Sequence, residues 1–206
     1  MRLLVAGAGG QGRVVAEIAA LTGWQDISFL DDQHPQLESS GVWPVIGKLE
    51  DLAQLRGRFD ACLAAFGDAI LRLQVLERAR LAGFECPSVV HPSAVVSAYA
   101  TLGSGTVVAA GAVVGTFAST GAGCIINTGA TVDHDCRLAD GVHICPGAHL
   151  GGDVSIGART WFGIGAVAIQ SIRIGEDVTV GAGAVCVADI RDNVLVIGLP
   201  AAEKKS

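Results

Sequence analysis

The sequence predicts an N-terminal α/β unit of the Rossmann-like half-domain type followed by an all-β parallel β-helix, and three observations carry that prediction. First, from Val90 to Arg191 the chain repeats every six residues without losing register. The first hexad position runs Val90, Val96, Leu102, Val108, Val114, and so on to Cys186, and only Thr120 among the seventeen is not apolar. Second, Gly7-Ala8-Gly9-Gly10-Gln11-Gly12 stands between a short apolar run and a helical pattern. Third, the composition holds 28 glycines with half the residues apolar and few aromatics, which suits a thin core with many tight corners.

The α/β unit reads in order as follows. Arg2 to Ala6 is a short buried strand, the glycine loop follows, and Arg13 to Leu21 has helical spacing. Backbone N–H groups at such a helix start face an anion, and glycines let it approach. Ile27 to Leu30 is a second strand ending in Asp31-Asp32, where a dinucleotide fold places a ribose-binding acid. Val42 to Gly47 and Lys48 to Leu55 read as a turn, a strand and a short helix. Asp60 to Gly67 is a third apolar strand, and Ala69 to Ala82 an amphipathic helix. A unit of this size suits a mononucleotide better than a full NAD. The domain boundaries follow: residues 1–86 form the α/β unit, and residues 87–206 form the β-helix with a C-terminal cap.

In the repeat, a large aliphatic residue points inward once per face. A small or β-branched residue at the fifth position, such as Ala112, Ala130, Cys136, Ala148 or Ile190, fits beside it. Glycine recurs at the second position (Gly103, Gly115, Gly121, Gly151, Gly157, Gly163, Gly175, Gly181), where the expected reason is a corner conformation that side chains resist. Each coil buries little alone, so the stack must be long and capped. Three faces per coil imply between five and six coils. Pro200 ends any further strand, so the tail from Ile197 to Ala202 caps or flanks the last coil.

Net charge is −6 with no basic cluster before Lys204 and Lys205, which excludes a nucleic-acid partner. No Asp, Glu, Lys or Arg lies between Glu85 and Asp133, yet corner residues interrupt that run too often for membrane insertion. The N-terminal residues lack the cationic start and apolar run of a signal peptide. Of the six cysteines, Cys124, Cys136 and Cys186 take inward positions, Cys62 lies in a strand, and no CxxC pair exists, which points to a reducing cytoplasmic setting. Cys86 and Cys145 fit neither description.

The chemistry concentrates in Asn127-Thr128-Gly129-Ala130-Thr131-Val132-Asp133-His134-Asp135-Cys136, with His143 and His149 close behind. A carboxylate beside an imidazole raises its basicity and holds its tautomer, as a general base requires. On local pattern alone, a histidine between two acids is more often a solvated surface residue. His143 and His149 fall on different faces of one coil, so they cannot converge on a metal within one chain, and no metal is expected. Gly152 lies one coil beyond His134 and Trp161 one coil beyond His143, so a small residue stacks next to the candidate base.

The GxGGxG opening, Leu30-Asp31-Asp32, Pro44-Val45-Ile46-Gly47 and the NTGATVDHDC and HICPGAH segments together resemble the hexapeptide-repeat sugar O-acyltransferase/sialic-acid-type acetyltransferase family. By pattern the chain is most similar to bacterial N-acetyltransferases of nucleotide-linked 4-amino-4,6-dideoxy sugars. The resemblance spans essentially the whole chain. It implies a homotrimer of left-handed β-helices with active sites between subunits, and acetyl-CoA as co-substrate. It also implies His134 as general base with Asp135 raising its basicity, while the residues leave Asp133 open for that second role. Asn127, His143, Gly152 and Ile164 fall where the family contacts acetyl-CoA, and Gly9, Gly10, Gln11, Asp31, Asp32 and Gly47 match its nucleotide-sugar site. Two departures stand out: Gln11 replaces a histidine common in the family, and Ala202 replaces the lysine that ends its G-x-P-A-K pattern.

The leading expectation is therefore acetyl transfer to the 4-amino group of a UDP-linked 4-amino-4,6-dideoxy sugar. The alternatives are O-acetylation of a sialic-acid-type sugar, N-acetylation of a GDP-linked amino sugar, or a nucleotide-sugar-binding module without turnover.

Overall fold

The computed structural model describes residues 1–204; Lys205 and Ser206, at the end of the expected C-terminal cap, lie outside the described residues. The chain divides into two compact units, Met1–Pro92 and the residues from Ser93 onward.

In the first unit, β1 (Arg2–Ala6), β2 (Asp26–Leu30) and β5 (Ala61–Ala64) form a parallel sheet in the order β2-β1-β5, with Val5 opposite both Phe29 and Leu63. β1 is buried from Leu3 to Ala6 and β5 throughout, as expected of parallel strands covered on both faces. Helix α1 spans Gly10–Leu21 and starts three residues before the expected Arg13, because Gly9 takes the extended N-cap conformation directly after the loop. Helix α2 spans Ala69–Leu81 and buries Arg72, Val75, Leu76 and Ala79. Between β2 and β5 lie a two-residue hairpin, β3 (Ser39–Ser40) with β4 (Trp43–Pro44), and a 3-10 turn at Leu49–Leu55.

The second unit is a left-handed parallel β-helix of about six turns. Strands stack at an eighteen-residue interval: Val113, Thr131, His149, Val167 and Val185 follow one another on one face. A second face carries Ser119–Thr120, Arg137–Leu138, Ser155–Ile156 and Arg173–Ile174, and a third includes Ile125–Ile126, His143–Ile144 and Trp161–Phe162. Both inward positions are buried from Val108 to Cys186, including Ala130, Val132, Cys136, Ile144, Ala148 and Phe162. Thr120 satisfies its inward hydroxyl by bonding to Thr106 Oγ1 at 3.2 Å.

Two expectations about the repeat are corrected. The second-position glycines do not carry the unusual backbone angle. They are required because the next coil runs against them: an added Cβ on Gly115 would lie 2.7 Å from His134 N, and on Gly151 2.8 Å from Gln170 N. The left-handed conformation belongs to the fourth position, where φ lies near +60° at fourteen successive hexads from Gly105 to Gly183, whether or not the residue is glycine. The register also ends before Arg191. Thr179 pairs with Leu195 and Ile174 with Ile190, so the last coil is two residues short and Ile190 does not occupy the expected fifth position. Ala202–Glu203 then returns antiparallel to Leu195–Ile197 and ends the parallel ladder. Among the described residues no helix is long and apolar enough to cross a membrane.

Candidate active site

His134 sits at the third position of the corner that follows Thr131–Val132, where side chains point out of the coil. Asp135 takes the fourth position with φ +61°, and this left-handed turn brings its carboxylate back onto the preceding residue. His134 Nδ1 lies 2.8 Å from Asp135 Oδ2. Asp133, by contrast, accepts the backbone N–H of His134 at 2.7 Å. The two acids flanking the imidazole are thus sorted by geometry, one on the ring and one on the backbone. A carboxylate at Nδ1 favours the tautomer with its proton there and leaves Nε2 as the acceptor. The hydrogen bond to Asp135 raises the His134 pKa above its ordinary value, helped by the charges of Asp133, Asp135 and Asp153 and opposed by partial desolvation. The ring lies over Gly152, one coil on, where an added Cβ would collide with His134 Cε1 and Nε2. Glycine there keeps the Nε2 edge of the ring open.

A second cluster lies at a different corner. Asn127 Nδ2 meets His143 Nε2 at 3.1 Å, and the Asn127 carbonyl oxygen accepts from Thr128 N at 2.8 Å, so the amide acts as donor to the ring. His143 is 5% exposed, and the Trp161 ring packs edge-on at 4.3 Å between centroids. Beside Asn127 runs a column of left-handed glycines, Gly111, Gly129, Gly147, Gly165 and Gly183. An added Cβ would meet nothing within 4 Å at the last four, so this corner presents open backbone. Ile164 stands on the same corner and is 59% exposed.

Within one chain the structure therefore groups His134, Asp135 and Gly152 at one corner, and Asn127, His143 and Ile164 around another. The strand Thr131–Val132 separates the two corners. That intervening face is apolar and open, with Val95, Val113 and Val167 exposed along it and Tyr99 and Phe117 exposed at its edge. His149 lies on this face and pairs with Thr131 Oγ1 at 2.9 Å, apart from His143. Cys145 is fully buried, out of reach of a substrate, and burial pushes its thiol up to about 12.

In the first unit, Gly9 and Asp31 line a cleft with Ala8, Arg13, Gln33 and Ser40. Asp31 braces the glycine loop: its carboxylate accepts Ala8 N at 2.9 Å and Gln33 N at 3.0 Å. Gly10 and Gln11 form the first turn of α1, whose N-cap Gly9 supplies no side-chain acceptor. Asp32 points elsewhere, accepting Leu49 N at 3.0 Å and lining a separate cleft with Lys48 and Arg78. Gly47 is buried behind the site, where its carbonyl accepts Asp31 N at 3.0 Å and a Cβ would lie 2.8 Å from Asp51 Oδ2. The sequence reading missed Ser40, whose hydroxyl donates to Ala8 O at 2.6 Å and takes a contact from Arg13 Nη1 at 3.3 Å. Its hairpin is two residues long and leaves no periodicity to read.

Comparison with known proteins follows the same division. Residues 2–79 match the family described as the PglD N-terminal domain. UDP-N-acetylbacillosamine N-acetyltransferase of Bacillus subtilis (strain 168) is 38% identical over 107 residues, covering 50% of this chain and 49% of that protein. The aligned part thus spans about half the length of this curated relative. Among solved structures, the acetyltransferase domain of PglB from Neisseria gonorrhoeae FA1090, in complex with acetyl coenzyme A, is 45% identical with a TM-score of 0.95, covering 98% of each chain. A histidine-to-asparagine mutant of perosamine N-acetyltransferase from Caulobacter crescentus, in complex with CoA and GDP-perosamine, is 39% identical with a TM-score of 0.95. It covers 100% of this chain and 98% of that one.

Proposed function

The chain belongs to the family of hexapeptide-repeat nucleotide-amino-sugar N-acetyltransferases, and from that premise we propose that it transfers acetyl from acetyl-CoA to the 4-amino group of a UDP-linked 4-amino-4,6-dideoxy sugar. The observation that carries the reading is the His134–Asp135 pair, with Nδ1 held by the carboxylate and Nε2 open above Gly152.

His134 Nε2 is the general base. As the amine nitrogen attacks the thioester carbonyl, its proton passes to Nε2; the carbon–sulfur bond then breaks and the proton goes to the departing sulfur of CoA. The products are the N-acetylated sugar and CoA thiol, and no covalent enzyme intermediate is formed. Asp135 positions the imidazole and raises its basicity. Asn127, His143, Gly152 and Ile164 contact acetyl-CoA, with the open glycine corner receiving its extended pantetheine arm. Gly9, Gly10 and Gln11 receive the diphosphate at the start of α1, Asp31 the nucleoside, and Gly47 holds Asp31 in place.

The two separated corners fit a homotrimer, in which His134 of one subunit and the Asn127–His143 corner of its neighbour complete one site. The exposed apolar face between them supports that arrangement. We place the reaction in the cytoplasm, where acetyl-CoA and nucleotide sugars are made.

A GDP-linked acceptor is the second reading, favoured by the GDP-perosamine complex of a relative aligned over the whole chain. The UDP reading draws on the Bacillus subtilis relative. Thiol release from acetyl-CoA, measured with UDP- and GDP-linked 4-amino sugars and with a sialic acid, decides among them. We expect release with the UDP-linked amine. Faster release with the GDP-linked amine selects the second reading, and release only with the hydroxyl acceptor overturns N-acetylation. Binding of nucleotide sugar without release with any acceptor makes the protein a binding module.

A further inference from the structure

Among the described residues Arg72 is the largest side chain that is buried in full. Two features make its position unfavourable in isolation. Burial of a cation removes its hydration. Arg72 also lies in the first turn of α2, at the helix end whose dipole repels positive charge. A residue that breaks local rules in this way marks a place where the fold serves the site.

Two of its hydrogen bonds go to one loop. Arg72 Nη1 lies 2.7 Å from the carbonyl oxygen of Phe66 and 3.0 Å from that of Gly67, in the loop that leaves the carboxyl end of β5. Phe66 in turn packs against the glycine loop: a Cβ on Gly7 would lie 2.9 Å from Phe66 Cε1. Gly7 itself has φ +99° and donates its N–H to Leu30 O at 2.8 Å. The chain of contacts thus runs from Arg72 through the Phe66–Gly67 backbone and the Phe66 ring to the first residue of the loop that opens α1. On the opposite side, Asp31 holds the same loop through Ala8 N.

We infer that Arg72 is a positioning residue for the nucleotide diphosphate: it clamps Phe66–Gly67 so that the Phe66 ring fixes the glycine loop with its N–H groups aimed at the anion. The ring backs the glycine loop from the β5 side, as Asp31 braces it from the β2 side. This rests on the nucleotide-sugar reading of the first unit.

The test is calorimetric titration with UDP, GDP and CoA of the full chain and of Phe66→Ala, Arg72→Met and Arg72→Lys, beside steady-state kinetics. Losing hydrogen bonds from a charged donor predicts about tenfold weaker binding of the preferred nucleotide in Arg72→Met, with a smaller loss in Arg72→Lys. Phe66→Ala, a half-buried side chain, tests the same clamp should Arg72→Met fail to fold, and several-fold weaker nucleotide binding is expected. CoA affinity and kcat at saturating nucleotide sugar stay at wild-type values. Unchanged nucleotide affinity in folded Phe66→Ala, or parallel losses for CoA and nucleotide, overturns the inference. Failure of the acetyltransfer reading is separate: wild-type protein then binds UDP or GDP without releasing thiol, and the clamp is still read from the binding constants.

Discussion

The three corners of the β-helix share one backbone conformation and differ in what stands at its left-handed residue. One corner uses glycine in every coil from Gly111 to Gly183. The corner that carries His134 uses none: Phe117, Asp135, Asp153 and Ser171 all hold φ near +60°. The third changes midway, from Gly105, Gly123 and Gly141 to Arg159 and Asp177. A left-handed L-residue costs roughly 1–2 kcal/mol, so the fold is indifferent to strain at the first corner and bears it at the second. Where glycine is kept, the corner presents bare backbone to an extended ligand. Where it is absent, a side chain stands in that place, and the one of Asp135 reaches His134 Nδ1.

The largest effect that tests this contrast comes from His134→Ala. The exposed side chain contributes little to packing, so the folded state survives and thermal unfolding is unchanged. Turnover should fall by roughly 10²–10⁴-fold, the range for loss of a general base. Thiol release at saturating substrates measures it, and wild-type turnover in the variant removes His134 from the mechanism.

Asp135→Asn probes the strained position itself, with a smaller loss. Asparagine tolerates the left-handed conformation, so the backbone stays as it is. The carboxylate that raises the His134 pKa is gone, so the histidine loses its proton at lower pH. A base works only when neutral, and the acid limb of the kcat profile should therefore move toward lower pH, while the plateau drops about tenfold as the base weakens. An unmoved acid limb assigns the basicity to Asp133 instead.

How much of this was legible beforehand depended on how many times each feature was written into the chain. The inward positions recur seventeen times in the sequence, and both are buried from Val108 to Cys186. The corner geometry was misassigned because two different causes both select glycine: close approach of the next coil at Gly115 and Gly151, and backbone angle at Gly129 and Gly147. Composition at one position cannot separate them; the side chains at Asp135, Arg159 and Ser171 hid the second. His134 and Asp135 were readable from sequence neighbours. Their separation from Asn127 follows from the register, since 127 and 134 fall in successive hexads; which carboxylate turns onto the ring does not, because it depends on the left-handed backbone at Asp135. Arg72 escaped because charge suggests exposure, although its place in the stripe 72, 75, 76, 79 put it on the buried face of α2.

The smallest expected effect is the sharpest control on the comparison. Ser171 holds φ +60° two coils beyond Asp135 at the same corner, is exposed, and donates its backbone N–H to Gly152 O at 2.9 Å, a bond that any residue makes. Ser171→Gly relieves the left-handed strain but adds freedom to the unfolded chain, worth about 0.4–1 kcal/mol in the other direction. The net gain should be ~0.5–1 kcal/mol in denaturant unfolding, with turnover unchanged. The same replacement at Asp135 relieves the same strain and should raise stability similarly while lowering turnover. If Ser171→Gly also impairs turnover, the corner as a whole is under functional constraint and Asp135 is not distinguished by its conformation. If neither glycine variant gains stability, the left-handed corner carries no strain in this fold, and the absence of glycine beside His134 needs no functional cause.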